Sequence, residues 1–263
     1  MEEKSWLDLR EGEFKIPGFR FASGETLDDL TIRYMTLGAR QRDPDGNITN
    51  AVLLIHNTIG SGRTWLQPSL AGELFGEGQA LDLLENSIVI PDMVGFGGSS
   101  KPSDSMRARF PHYRYDDMVV STHRLLTECL GIGRLKLLLG ISMGGMLAWI
   151  YGAKYPGFVE RLVPVASQPG PMSGRNRIQR RVSIEAIRID PDRNNGDYET
   201  NPTRRHAAVP ISAVLMYVNE RNDTGTEADA VLAFQIRTGR VVVGRSGEKG
   251  RRTLGRRAQL PGQ

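Results

Sequence analysis

The run Leu137-Leu138-Leu139-Gly140-Ile141-Ser142-Met143-Gly144-Gly145-Met146 constrains this chain more than any other. A Gly-x-Ser-x-Gly pattern that follows an apolar strand-like run and precedes helix-forming residues reads as a strand, a sharp turn and a helix. That context turns the pattern into a nucleophile elbow. Glycine on both sides of the serine permits a tight, strained turn and leaves space around an exposed hydroxyl. Ser142 is therefore the candidate catalytic nucleophile, and the chain around it should be an α/β domain with the elbow at the end of a buried strand.

The rest of the first 170 residues supports that frame. Strand signals fall at 14–16 with 19–21, 30–37, 51–56, 87–91, 135–139 and 162–166. The later ones are continuous apolar runs, as suits parallel strands covered on both faces. Residues 115–130 carry Met118, Val119, Leu125, Leu126 and Leu130 at helical spacing, with Asp116 and Asp117 in the first turn where the helix dipole favours negative charge. His123 falls on the polar face of that helix. A second helix is expected from about 143 to 155, ending before Pro156. The expected fold is α/β: a mostly parallel, doubly wound sheet with a helical lid insertion. Three segments follow, with a core at 1–169, a lid or cap region at 170–235 that contains a basic helix over 176–189, and a basic, disordered tail at 236–263.

Charge separates the tail from the rest. The 263 residues carry a net +4, but the segment 237–263 holds eight Lys/Arg and one Glu, a net +7, so the first 236 residues are at −3. No aromatic residue follows Phe234, and only 241–243 looks strand-like there. Such a composition cannot bury enough apolar surface to offset its ordering entropy. The eight basic residues lack interleaved aromatics, so no specific nucleic-acid partner is expected. No apolar run approaches the roughly 20 residues that span a bilayer, and the first residues, Met1-Glu2-Glu3-Lys4, do not form a secretory signal. A single cysteine, Cys129, fits a reducing cytoplasm, and its neighbours Leu125, Leu126 and Leu130 suggest a buried structural thiol. The expected partner is a small-molecule ester or acyl donor, with no cofactor and no metal, and the expected assembly is a homodimer.

Two loops accompany the elbow. Strand 51–55 opens into His56-Asn57-Thr58-Ile59-Gly60-Ser61-Gly62, the place where an elbow enzyme takes its first oxyanion-hole amide; the second comes from the residue after the nucleophile. These are assigned to Thr58 and Met143. The stretch Asp92-Met93-Val94-Gly95-Phe96-Gly97-Gly98-Ser99 adds a glycine-rich loop, in which Asp92 is expected to hold the backbone rather than react. Lys101-Pro102-Ser103 follows it and breaks the strand–Gly-x-Gly-x-x-Gly–helix context of a dinucleotide site.

Taken with these motifs, the chain resembles the α/β-hydrolase superfamily, and within it the branch of the homoserine O-acetyltransferases. The similarity runs over residues 30–200. It includes Leu74-Phe75-Gly76-Glu77-Gly78-Gln79-Ala80-Leu81-Asp82, Phe110-Pro111 with Asp117-Met118-Val119, and Ser142-Met143-Gly144-Gly145-Met146. In the lid it includes Ala186-Ile187-Arg188-Ile189-Asp190-Pro191 with Gly196-Asp197-Tyr198. The resemblance implies a serine acyl-enzyme passed to an acceptor. Two positions depart from the branch: Ile184 stands where it carries an arginine associated with an amino-acid carboxylate, and Arg193 stands where it carries tryptophan. Without that clamp water is the simpler acceptor, which favours an acyl-ester hydrolase over an acyl-CoA-dependent O-acyltransferase.

The resemblance also implies a triad in the order Ser, Asp/Glu, His. His56, His112 and His123 precede Ser142, and His206 alone follows it. His206 is thus the candidate base and Asp223, with Glu220 as its alternative, the candidate acid, although no histidine follows either carboxylate. The simplest expectation is that the C-terminal catalytic part of the fold is missing by truncation, leaving either a crippled hydrolase or a catalytically dead α/β-hydrolase that serves as a binding module.

Overall fold

The computed structural model describes residues 8–198 together with two paired strands at 233–237 and 240–244. Six strands form one sheet in the order β1-β2-β4-β3-β5-β6. They are β1 (Arg10–Arg20), β2 (Thr26–Leu37), β3 (Ala51–Ile55), β4 (Ser87–Pro91), β5 (Leu137–Ile141) and β6 (Leu162–Val165). β1 and β2 make an antiparallel hairpin, β2 joins β4 antiparallel, and β3, β4, β5 and β6 run parallel.

Alternation along the buried strands builds a core on each face. Leu53 and Ile55 of β3 point into one layer with Leu125, Leu126, Leu147 and Tyr151. Val52 and Leu54 point into the opposite layer with Trp65, Phe75, Ile88 and Ile90. This period of two in a strand with every residue buried is the reason the run looks continuously apolar in sequence. The first layer is covered by α2 (Tyr115–Arg124), which a π-helical turn continues over Leu125–Cys129, and by α3 (Met143–Lys154). The second is covered by α1 (Pro68–Leu74), a helix the sequence pattern did not single out.

Several expectations change in detail. The two short strand signals around Pro17-Gly18 form one strand, because β1 is an edge strand and a proline there forfeits no ladder hydrogen bond. His123 does not sit on a solvated face. It stacks on Tyr155 with ring centroids 3.7 Å apart, and its Nδ1 lies 2.8 Å from the Tyr151 hydroxyl. Cys129 is exposed, with Sγ 3.6 Å from the Tyr34 hydroxyl, because the π-turn rotates it away from the leucines that pack inward. The lid helix, α4 (Gly174–Arg188), covers most of the expected basic helix and is followed by a 3-10 segment, Pro191–Gly196.

A separate compact unit begins at Thr224. In it β7 (Ala233–Arg237) and β8 (Arg240–Gly244) pair antiparallel, with Phe234 opposite Val243 and Ile236 opposite Val241. The strand-like run 241–243 lies within β8.

Candidate active site

In this sheet β3 has β4 on one side and β5 on the other, so the strand order reverses between β3 and β5. The carboxyl ends of strands flanking such a reversal border a crevice in which open α/β sheets bind ligands. Ile55 pairs with Gly140, so the loop leaving β3 and the turn leaving β5 emerge side by side.

Ser142 makes that turn. It has φ 55° and ψ −112°, outside the ordinary regions for a residue with a side chain. The strain is held from three sides. Its N–H donates to the Val165 carbonyl at the end of β6 (2.9 Å), and its carbonyl accepts from Met146 N–H in the first turn of α3 (3.0 Å). Gly144 lies against β3 so closely that a methyl there would come within 3.0 Å of the Ile55 carbonyl and 2.8 Å from the His56 carbonyl. Gly145 lies against β6, where a methyl would be 2.5 Å from Ser167 Oγ. The glycines that follow the serine thus wedge the first turn of α3 between two strand ends. Ser142 is partly exposed, and Met143 N–H opens the helix, where amides have no intrahelical acceptor.

The β3 loop is fixed by two buried groups. Asp92 accepts from Gly62 N–H through Oδ1 (2.6 Å) and from Gly98 N–H through Oδ2 (2.7 Å). It therefore ties the β3 loop to the glycine-rich loop after β4, as its position suggests. His56 is 1% exposed; its Nδ1 donates to the Asn57 carbonyl (2.7 Å) and its Nε2 accepts from Met93 N–H (3.1 Å). Burial pushes its pKa down from 6.5, against the smaller opposing effects of the Asn57 hydrogen bond and the Asp92 charge, so the ring is neutral at pH 7. Thr58 and Asn57 follow on the same loop, and their side-chain oxygens Oγ1 and Oδ1 are buried without a hydrogen-bond partner.

A cavity of about 280 Å³ is lined by Asp92 together with Glu11, Arg33, Tyr34, Ser61 and Arg63 among others. Ser142 does not line it. Its charges are already satisfied, since Arg33 and Arg63 both pair with Glu11, whose pKa is held down chiefly by the Arg33 hydrogen bond. The elbow at the strand reversal, rather than this cavity, is where sheet topology, strain and polar groups coincide.

The family assignment rests on that fold together with sequence. Residues 50–207 match the family described as alpha/beta hydrolase fold. The chain belongs to the α/β-hydrolase family. It is 32% identical over 208 residues to a protein named probable acyltransferase from Methanothermobacter thermautotrophicus, covering 78% of this chain and 61% of that protein. It is 30% identical over 210 residues to a homoserine O-acetyltransferase from Nautilia profundicola, covering 75% and 56%. Among solved structures it is similar to the acetyl esterase MekB, with a TM-score of 0.64 and 27% identity, covering 73% of this chain and 54% of that one. The chain thus spans little more than half the length of these α/β-hydrolase relatives.

Ser142, Met143 and Thr58 are brought to neighbouring strand ends, whereas His206 and Asp223 lie outside the described residues. Of the described histidines, His56 is committed to its own loop, His123 to Tyr151, and His112 to Glu25, so none serves Ser142. Ser167, at the end of β6, was not singled out by sequence. Its only signal is position: it follows the strand next to the one that carries the elbow. No three His, Cys, Asp or Glu side chains among the described residues could hold a metal ion, and none of their helices is long and apolar enough to cross a membrane.

Proposed function

We propose that this α/β-hydrolase acts on acyl esters through a covalent intermediate on Ser142. Ser142 Oγ attacks the ester carbonyl carbon and gives its proton to a base. The carbonyl oxygen becomes an oxyanion held by the amides of Thr58 and Met143, the tetrahedral species collapses with loss of the alcohol, and water then releases the acid. The observation that carries the reading is the strained backbone of Ser142 at the strand reversal, since such strain persists only where surrounding structure enforces it. Each oxyanion donor of this kind lowers the barrier by on the order of 3 kcal/mol. His206 as base and Asp223 as acid complete the proposal, in a chain order, Ser-His-Asp, that departs from the family's Ser, Asp/Glu, His.

Water is favoured as acceptor by the lid helix. Ile184 offers no charge for an acceptor carboxylate, and its nearest arginines are occupied along α4. Arg180 Nε donates to Asn176 Oδ1 (2.8 Å), and Arg181 pairs with Glu185 (2.8 Å). Acyl transfer is the second reading, supported by the names of the two relatives above. A fluorophosphonate probe tests the common step. Labelling of the folded protein that is lost in Ser142→Ala is the expected result. A folded wild type that stays unlabelled contradicts the reading and leaves a binding module; faster acyl transfer to homoserine than to water selects the second one.

A further inference from the structure

Ser142 stands between two loops, the β3 loop with Asn57 and Thr58 on one flank and the β6 loop with Ser167 on the other. Among the described residues, four buried side-chain nitrogen or oxygen atoms lack a hydrogen-bond partner: Asn57 Oδ1, Thr58 Oγ1, Trp65 Nε1 and Ser167 Oγ. Three of them therefore belong to the loops that flank the elbow. Buried polar groups are overwhelmingly paired, and an unpaired one calls for a specific explanation. A few convergent polar groups in a crevice are what a ligand site uses for orientation.

Ser167 is the member of this set with a second peculiarity. Ala166, just before it, has φ 50°, a left-handed conformation that a residue with a Cβ adopts at a cost. The chain thus leaves β6 through a strained residue and delivers a hydroxyl into the space that any side chain at 145 would fill, beside the first turn of α3. The same strand end accepts the hydrogen bond of Ser142 N–H through Val165. Strain and an unpaired hydroxyl converge on the flank of the elbow opposite the β3 loop.

We infer that the Ser167 hydroxyl is a substrate-contacting, specificity-determining group that binds a hydroxyl-bearing ester beside its scissile carbonyl. This rests on the ester-binding reading of the Ser142 site. With the carbonyl oxygen held on the β3 flank, the β6 flank that carries Ser167 is left for the remainder of the ester. A serine hydroxyl both donates and accepts, so it pairs with a substrate hydroxyl in either sense. An ester without that hydroxyl leaves Ser167 buried and unpaired, which is how a polar site rejects an apolar analogue.

Binding to the full-length Ser142→Ala protein, which cannot turn over, tests this by titration calorimetry. Two ester pairs differ by a hydroxyl: methyl 3-hydroxybutanoate against methyl butanoate on the acyl side, and 2-hydroxyethyl acetate against propyl acetate on the alcohol side. One pair is expected to show about a 2- to 10-fold preference for the hydroxyl-bearing ester. That preference should vanish when Ser167→Ala is added, and the ligand-free melting temperature should hold or rise because an unpaired group has been removed. Ser167→Cys, close to serine in volume, gives the same readout if the alanine variant folds poorly. Absence of preference in both pairs, preference that survives the substitution, or a drop in ligand-free melting temperature in both variants overturns the inference. A wild type that resists the fluorophosphonate while Ser167-dependent preference persists would sink the catalytic reading and leave this one standing.

Discussion

Replacing Gly144 by alanine sets two effects of known sign against each other inside one helix. Helix propensity alone favours the change, since glycine costs about 1 kcal/mol relative to alanine in a helix interior. At position 144 the added methyl would lie 2.8 Å from the His56 carbonyl and nearer still to that of Ile55, where real contacts begin near 3.4 Å. Both neighbours are backbone atoms, one at the end of a fully buried strand and one just beyond it, so neither can swing aside as a flexible side chain would. Relief requires α3 or the β3 loop to shift by more than half an ångström. Overpacking of this kind typically costs 1–3 kcal/mol and occasionally more, and a backbone clash belongs at the upper end, so a net loss of about 2–3 kcal/mol is expected. Gly152, eight residues along α3, is the control: its added methyl would make an ordinary 3.4 Å contact with Leu162 Cδ2. Gly152→Ala should be neutral or stabilising by up to about 1 kcal/mol. Urea titrations of the two variants read both signs. Gly144→Ala as stable as the wild type would refute the close wedging of the elbow against β3.

Three further outcomes follow from the same geometry. Ser142→Gly should relieve the left-handed strain and raise stability by about 1 kcal/mol or more, seen as a higher urea midpoint, while losing all probe labelling. Asp92→Ala leaves the Gly62 and Gly98 amides unpaired; a loss of about 2–4 kcal/mol is expected in denaturant titration, with slower labelling of Ser142 because the β3 loop is untied. Burial lowers the His56 pKa in the folded state below its ordinary 6.5. The unfolded chain therefore binds the proton first as pH falls, so the histidine's contribution to stability is full above about pH 6.5 and declines below it. His56→Gln should flatten the stability profile between pH 7 and 5, and an unchanged slope would show that His56 is not buried as a neutral ring.

The elbow and the parallel strands were legible because their signals are local. Gly140, Ser142 and Gly144 fix a turn within five residues, and 51–55 or 87–91 leave no polar residue to face water apart from Ser87. Asp92 could be read as a loop holder from its place after a strand and before glycines. Features decided by distant neighbours were not legible. His123 looks polar on its helix, yet Tyr151, Tyr155 and Phe158 close over it from another element. Cys129 looks buried among leucines, yet a π-turn changes the angular spacing on which that reading depends. Ser167 carries no motif, and its interest arises only when β6 is seen to deliver it beside Gly145. The base and acid expected at His206 and Asp223 fall outside the described residues.

The central claim is that Ser142 is an activated nucleophile. Its most direct test is intact-mass spectrometry of the full-length protein quenched in acid during reaction with p-nitrophenyl acetate, followed by peptide mapping. One acetyl group on the peptide that contains Ser142, absent from Ser142→Ala, is the expected result. A folded protein that gains no acetyl group, or gains it equally in the alanine variant, would contradict the account.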